Sequence, residues 1–205
     1  MEKAGATGKS KFETSFMTMP KKIVAIGPES TGKSTLCEEL AQHFQTSWVP
    51  EYAREYLIKH GMNYTYDDLL TIAQGQLKLE DEIINKIVES QSDPNLGGDP
   101  SNHKLVFIDT DMYVMKVWGE FVFQKCHQYI LDQIVERQYD LYLLCNIDLP
   151  WSPDPLREYP NKEPRQQLFR IYEDILINQS TPWVEISGGY QERFQKAIDS
   201  INKML

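Results

Sequence analysis

Residues 22–34 read Lys22-Ile23-Val24-Ala25-Ile26-Gly27-Pro28-Glu29-Ser30-Thr31-Gly32-Lys33-Ser34. From Gly27 onward they match G-x-x-x-x-G-K-[ST] at every defined position, between an apolar β-branched run and a helical pattern. In such a loop the glycines let backbone N–H groups point at phosphate oxygens, and the following helix adds its positive N-terminal end. The motif therefore predicts a P-loop that binds a nucleotide through Gly27, Glu29, Ser30, Thr31, Gly32, Lys33, Ser34 and Thr35.

Two side chains of this loop have predicted roles of their own. Lys33 is expected to reach the β- and γ-phosphates, and Ser34 is expected to offer its hydroxyl to Mg²⁺. The predicted cofactors are therefore ATP and Mg²⁺. A GTPase would carry N-K-x-D after the fourth strand, and Asn146-Ile147-Asp148 lacks both the lysine and the spacing.

Short apolar strands alternate with longer helical patterns along the rest of the chain. Strands are predicted at 22–26, 47–49, 105–108, 141–145 and 183–186, and helices at 36–44, 52–59, 66–90, 112–122, 126–138, 165–178 and 191–204. Nearly continuous apolar strands separated by helices indicate a parallel sheet covered on both faces. The predicted fold class is α/β: a three-layer P-loop NTPase fold with a doubly wound, mainly parallel five-stranded sheet and a short lid.

Composition places the chain among ordinary globular proteins and limits its partners. It has 205 residues, 41% hydrophobic and 25% charged, with a net charge of −9. An acidic surface discourages binding to nucleic acid or anionic membranes. We expect a flexible tail over residues 1–20, a single domain over 21–205 and a polar surface loop at 91–103. Three widely spaced cysteines and the lack of a signal or membrane segment favour the cytoplasm.

Acidic side chains follow two of the predicted strands, where ligands bind in open α/β folds. Asp109 ends the third strand and is expected to lie beside Mg²⁺, and Glu51 ends the second, with Arg54 close behind it. A solvated helix terminus explains Glu51 equally well. Asp111 is either part of the same site or an N-cap of the next helix.

A proline-rich segment, residues 150–165, is the predicted lid. It contains five of the 11 prolines, which exclude a regular helix or a central strand. Its cations Arg157, Lys162 and Arg165 could close over a transferring phosphate and exclude water. A P-loop with nearby carboxylates and a cationic lid is typical of a small kinase, whereas a remodelling ATPase generally needs an additional helical domain.

Several of these segments recur together in one group of proteins. They are Gly27 to Thr35, Glu51-Tyr52-Ala53-Arg54-Glu55-Tyr56, Phe107-Ile108-Asp109-Thr110-Asp111, and the later Trp151, Asp154, Leu156-Arg157 and Arg165-Gln166-Gln167. The chain resembles the ribosylnicotinamide kinase domain of NadR-type proteins of bacterial NAD metabolism over residues 22–204. NadR proteins commonly also carry an adenylyltransferase domain and a helix-turn-helix, for which these 205 residues leave no room.

The resemblance implies transfer of the ATP γ-phosphoryl group to the 5′-hydroxyl of nicotinamide riboside, which gives nicotinamide mononucleotide. On that basis Lys33 and Ser34 handle ATP and Mg²⁺; Glu51, Arg54, Asp109 and Asp111 face the nucleoside and the metal; and Arg157 and Arg165 clamp phosphates. Glu51 and Asp109 remain alternative general bases. Two other functions stay open: a kinase of another nucleoside or nucleoside monophosphate, and a nucleotide-binding regulatory ATPase.

Overall fold

The computed structural model describes residues 19–90 and 105–205. The predicted tail, apart from its last two residues, and the predicted loop 91–103 lie outside the described residues. The strands are β1 (Lys21–Ile26), β2 (Trp48–Val49), β3 (Leu105–Asp109), β4 (Leu141–Cys145) and β5 (Trp183–Ile186). The helices are α1 (Lys33–His43), α2 (Tyr52–His60), α3 (Tyr66–Ser90), α4 (Met112–Phe123), α5 (Gln128–Glu136), α6 (Lys162–Ile177) and α7 (Tyr190–Met204).

Within these ranges the strands form one sheet in the order β2-β3-β1-β4-β5, and every neighbouring pair is parallel. Successive residues of β1 point to opposite faces. Ile23 and Ala25 pack with α1 and α7, whereas Val24 and Ile26 pack with α3, α4 and α6. The predicted three-layer α/β fold is confirmed, and its central strand β1 leads directly into the P-loop.

α1 begins at Lys33, directly after the P-loop as the motif predicts, and Gly32 before it has a left-handed conformation (φ 78°). Two other helices differ from the prediction by more than one residue at an end, each for a local reason. α5 is shorter than predicted because His127 and Arg137 flank it in extended conformations. α6 begins at Lys162, inside the predicted lid, because proline is tolerated in the first turn of a helix, as at Pro164.

The longest helix, α3, begins as its sequence predicts. The Thr65 backbone N–H donates to the Asp68 carboxylate at 2.7 Å, and the Asp68 N–H donates to the Thr65 hydroxyl at 3.4 Å. This reciprocal capping satisfies backbone groups that the first turn leaves free. No helix in the described part of the chain is long and apolar enough to cross a membrane.

Candidate active site

A cavity of about 460 Å³ opens at the carboxyl edge of the sheet, where β1, β2 and β3 end. It is lined by the whole P-loop from Gly27 to Thr35 and by side chains of β2, α2, β3, α4, α6 and the lid segment. Outside the P-loop the lining residues are Trp48, Pro50, Glu51, Ala53, Arg54, Leu57, Met62, Asp109, Val114, Val117, Trp118, Phe121, Val122, Asp154, Leu156, Arg157, Glu158, Tyr159, Leu168 and Tyr172.

The P-loop is held in a curled conformation by its own side chains. Gly27 has a φ of 136°, and a Cβ there would lie 2.6 Å from the Cys145 carbonyl oxygen, so only glycine fits. The Thr31 hydroxyl and the Lys33 ammonium both donate to the Pro28 carbonyl oxygen, at 2.7 and 2.9 Å. Lys33 thus folds back over the loop and lies within the cavity.

A second clamp on the loop comes from α7. The buried guanidinium of Arg193 donates to the carbonyl oxygens of Thr31 (2.9 Å), Asn146 (2.7 Å) and Gly188 (2.8 Å). It also forms an ion pair with the Asp148 carboxylate. Arg193 therefore ties the P-loop to the segments that follow β4 and β5, a role that the sequence analysis missed.

Asp109 and Ser34 meet at the base of the cavity. The Ser34 hydroxyl donates to Asp109 Oδ2 at 2.5 Å, and Asp109 Oδ1 is buried with no hydrogen-bond partner among the described residues. Burial, and then the negative charge of Glu51, raise the pKa of Asp109 to about 6, although Lys33 and Ser34 act in the opposite direction. A free buried carboxylate oxygen beside a hydroxyl is a donor set that suits Mg²⁺. These two residues are the ones that could hold it.

Glu51 lines the same cavity from the start of α2. It occupies the N-cap position, yet its side chain makes no capping hydrogen bond. Its carboxylate therefore remains available to a ligand. In addition to burial, the negative charge of Glu51 raises the pKa of Asp109, because both carboxylates follow the ends of neighbouring parallel strands.

Asp111 is placed differently. Its Oδ1 accepts from the backbone N–H groups of Tyr113 and Val114, and its Oδ2 accepts from the Tyr142 hydroxyl at 2.9 Å. Burial raises the pKa of Asp111 to about 7. The residue does not line the cavity. Of the two interpretations that the sequence left open, this geometry favours the N-cap of α4.

The lid segment is fastened across the cavity by the P-loop itself. The Glu29 carboxylate accepts from the backbone N–H of Glu158 at 3.0 Å and from that of Tyr159. The Ser30 hydroxyl accepts from the Ser152 N–H at 3.1 Å. Two P-loop side chains therefore hold the lid segment, and burial raises the pKa of the Glu29 carboxyl group.

The predicted cations of this region separate into two groups. Arg157 lines the cavity and donates to the Ser152 carbonyl oxygen. Arg54 also lines it, paired with Asp154 at 2.8 Å. Arg165 is buried in α6, outside the cavity lining, with its guanidinium 5.0 Å from the centre of the Trp151 ring. The structure thus brings Arg157 and Arg54 to the site and places Arg165 behind it.

The far end of the cavity is apolar and aromatic. Trp118, Phe121 and Val122 of α4 lie there. The Trp118 indole N–H donates to the Tyr64 hydroxyl at 3.0 Å, and that hydroxyl donates to Glu158 of the lid segment at 2.9 Å. An apolar wall with a fixed orientation suits a flat ring, whereas the P-loop end suits phosphate groups.

Comparison with known proteins identifies relatives of this chain. Two curated relatives are "Trifunctional NAD biosynthesis/regulator protein NadR" from Salmonella typhimurium and from Escherichia coli, 26% and 25% identical over 188 residues. The alignments cover 89% of this chain but 42% of each relative, so the chain spans less than half of their length. The predicted resemblance to NadR proteins is confirmed.

Solved structures show the same fold. The crystal structure of NadR protein in complex with NR has a TM-score of 0.70 at 24% identity and covers 91% of this chain and 50% of that one. Thymidylate kinase from Ehrlichia chaffeensis has a TM-score of 0.56 at 14% identity, with coverages of 90% and 100%. The AAA domain family pattern matches residues 22–193, most of the chain. The chain therefore belongs to the AAA domain family.

Proposed function

We propose that this chain is an ATP-dependent kinase that phosphorylates the 5′-hydroxyl of nicotinamide riboside. The observation that carries the proposal is that one cavity contains a P-loop, the carboxylates of Glu51 and Asp109, and an aromatic wall. Relatives named for NAD biosynthesis support the choice of acceptor. So do NadR structures described as complexes with NR and with NAD and AMP-PNP.

The residues divide the work of phosphoryl transfer among them. Lys33 and the P-loop N–H groups orient the β- and γ-phosphates, and Arg157 adds positive charge from the lid segment. The acceptor oxygen attacks the γ-phosphorus while the bond from that phosphorus to the β,γ-bridging oxygen breaks. The acceptor proton passes to a carboxylate, and the products are nicotinamide mononucleotide and ADP.

We assign the proton to Glu51 rather than to Asp109. Asp109 already accepts from Ser34, and with that hydroxyl it would hold Mg²⁺, which would neutralise charge on the phosphate oxygens. Glu51 lines the cavity with a carboxylate that caps no helix. A carboxylate that binds neither a metal nor a helix end is the better proton acceptor for an alcohol that loses its proton late in the transfer.

A panel assay tests the reaction and its acceptor. Consumption of Mg-ATP is measured with nicotinamide riboside, thymidine, cytidine, uridine, nucleoside monophosphates and no acceptor. We expect turnover with nicotinamide riboside above all the others. Turnover only with a monophosphate, or equal turnover with no acceptor, contradicts the proposal.

A pair of variants tests the assignment of the base. Glu51→Gln keeps the shape of the side chain and removes its basicity, so kcat is expected to fall about 100-fold or more. Glu55→Gln is the matched control, because Glu55 is exposed on the same helix and lies outside the cavity lining. Equal activities of the two variants contradict the role of Glu51.

A further inference from the structure

The buried amide of Gln76 joins the two strand ends that carry Glu51 and Asp109. Gln76 lies within α3 and is 1% exposed. Its amide oxygen accepts from the Tyr52 N–H at 2.7 Å, and its amide nitrogen donates to the carbonyl oxygens of Pro50 and Asp109, each at 3.3 Å. One side chain thus contacts the backbone on both sides of Glu51 and the backbone of Asp109 itself.

The Gln76 amide bonds the two chain segments directly beyond the end of the β2–β3 pairing. β2 contains two residues, and its pairing with β3 stops at Val49 and Ile108. Beyond that point the carbonyl oxygens of Pro50 and Asp109 both accept from the Gln76 amide nitrogen. Gln76 therefore links the two chain segments, which fixes their spacing where their carboxylates emerge.

The same amide also anchors the first turn of α2, next to Glu51. The first N–H groups of a helix lack partners within it, and an N-cap side chain usually accepts from one of them. In α2 the Tyr52 N–H is satisfied by Gln76, whereas the Glu51 side chain makes no cap bond. Next to Gln76, a Cβ at Gly75 would lie 2.1 Å from the Tyr52 ring, so this ring lies directly against α3.

We propose that Gln76 is a positioning residue, whose amide holds Glu51 and Asp109 at the separation used in phosphoryl transfer. The inference rests on the proposed function. Gln76 does not line the cavity, so it acts through its backbone contacts and not on a substrate. A misplacement of about 1 Å can cost roughly 100-fold in rate, which is why a rigid link between the two carboxylates has value.

The test replaces the amide with side chains of similar length. Gln76→Met removes all three hydrogen bonds, whereas Gln76→Glu keeps an acceptor for Tyr52 but turns a carboxylate oxygen toward the carbonyl oxygens of Pro50 and Asp109. We expect kcat to fall about 10- to 100-fold in Gln76→Met and at least as much in Gln76→Glu. The KM for ATP is expected to stay within about twofold, because Gln76 does not contact the P-loop. Gln74→Met, an exposed glutamine of the same helix, is the control.

A double-mutant cycle separates positioning from a general structural role. In the Glu51→Gln background, Gln76→Met is expected to lower kcat several-fold less than it does in the wild type, since Glu51 has already lost its function and only Asp109 remains to be positioned. Activities are referred to the amount of folded enzyme, measured by urea unfolding and by titration with a non-hydrolysable ATP analogue. An unchanged kcat per folded molecule, or the full loss in both backgrounds, overturns the inference.

Failure of the proposed function can be told apart from failure of this inference. The wild-type protein is assayed first, and a wild type that phosphorylates none of the acceptors contradicts the proposed function alone. Crystal structures of the wild type and of Gln76→Met, or of Gln76→Glu if the former does not fold, then test the positioning directly. We expect Glu51 to move by about 1 Å relative to the P-loop. An unmoved Glu51 overturns the inference, whatever the acceptor.

Discussion

Replacement of Arg193 by methionine is expected to destabilise the fold and to weaken nucleotide binding together. The Arg193 guanidinium fastens Thr31 of the P-loop to Asn146 and Gly188 across the sheet edge. It is 3% exposed, and it pairs with the Asp148 carboxylate. Methionine keeps much of the side-chain volume but leaves all of these acceptors without their donor.

The expected cost follows from the burial of the two partners. Breaking a buried ion pair costs about 3–5 kcal/mol, mainly because the remaining charge has no partner. The Asp148 side chain is 37% exposed, so water can hydrate its carboxylate after the change. We therefore expect the lower end, about 3 kcal/mol. At about 2–4 °C per kcal/mol for a domain of this size, the Tm falls by about 6–12 °C.

Thermal unfolding followed by circular dichroism, together with calorimetric titration of Mg-ATP, measures both effects. We expect the Kd for ATP to rise about tenfold, because a loop that is no longer held must be ordered by the ligand. Arg193→Lys keeps the charge but not the planar guanidinium, so its Tm and its Kd for ATP are expected to lie between those of wild type and Arg193→Met. Arg170→Met, at an exposed position, is the control. A Tm decrease below about 2 °C with unchanged ATP affinity would refute the clamp.

Three further predictions concern the loop, the lid segment and a helix cap. Lys33→Ala is expected to abolish turnover with only a small decrease in the unfolding midpoint, because Lys33 lines the cavity and its side chain makes one partly buried hydrogen bond, to the Pro28 carbonyl oxygen. Near-normal activity contradicts the P-loop assignment. Glu29→Ala removes two hydrogen bonds to the lid segment, which together contribute about 2 kcal/mol. Trypsin is therefore expected to cleave that segment about 30-fold faster. An unchanged cleavage rate contradicts the role of Glu29 in holding the lid segment. Hydrogen bonds from Tyr56 and then Thr65 lower the pKa of Asp68 to about 2, below its value of about 3.9 in an unfolded chain. The stability that Asp68 contributes is therefore present above about pH 4 and lost as the pH falls toward 2. The free energies of unfolding in urea of wild type and Asp68→Asn are expected to differ less at about pH 3 than at about pH 5. An equal difference at both pH values contradicts this prediction.

Much of the site could be predicted because parallel strands place their carboxyl ends at one edge. The motif identified the P-loop, and the positions of Glu51 and Asp109 just after apolar strands predicted that they would meet. Neither step needs knowledge of distant contacts. Assigning Asp111 to the site or to a helix cap did need such knowledge, because its partner Tyr142 lies in β4, 31 residues further along the chain.

The residues that sequence reasoning missed share one pattern. Gln76 continues the apolar stripe of α3 at a spacing of four from Ile72, and Arg193 stands in line with Ala197 and Ile201 of α7. A polar residue in a buried stripe must find a partner, so the periodicity marks these positions. It does not name the partner, because the contacts join residues that are distant in sequence.

Arg165 is also a polar residue in a buried stripe, which is why it does not lie over the cavity as predicted. It precedes Leu168 and Tyr172 on the buried side of α6, so the guanidinium enters the protein instead of the cavity. Of the three predicted lid cations only Arg157 lines the cavity, because the helix begins earlier than its prolines suggested and contains both Lys162 and Arg165. Which side an arginine faces is decided by where the helix starts.

The position of Trp151 gives the protein an intrinsic optical probe. Its ring lies 5.0 Å from the Arg165 guanidinium and 5.8 Å from that of Arg157, in a segment tied to Ser30 and Glu29. Indole emission responds to nearby charge and to water, and both change when the segment leaves the P-loop. Stopped-flow fluorescence, with Trp151→Phe as the blank, can therefore test whether the segment leaves the P-loop when ATP and acceptor are mixed with the protein, without an attached dye.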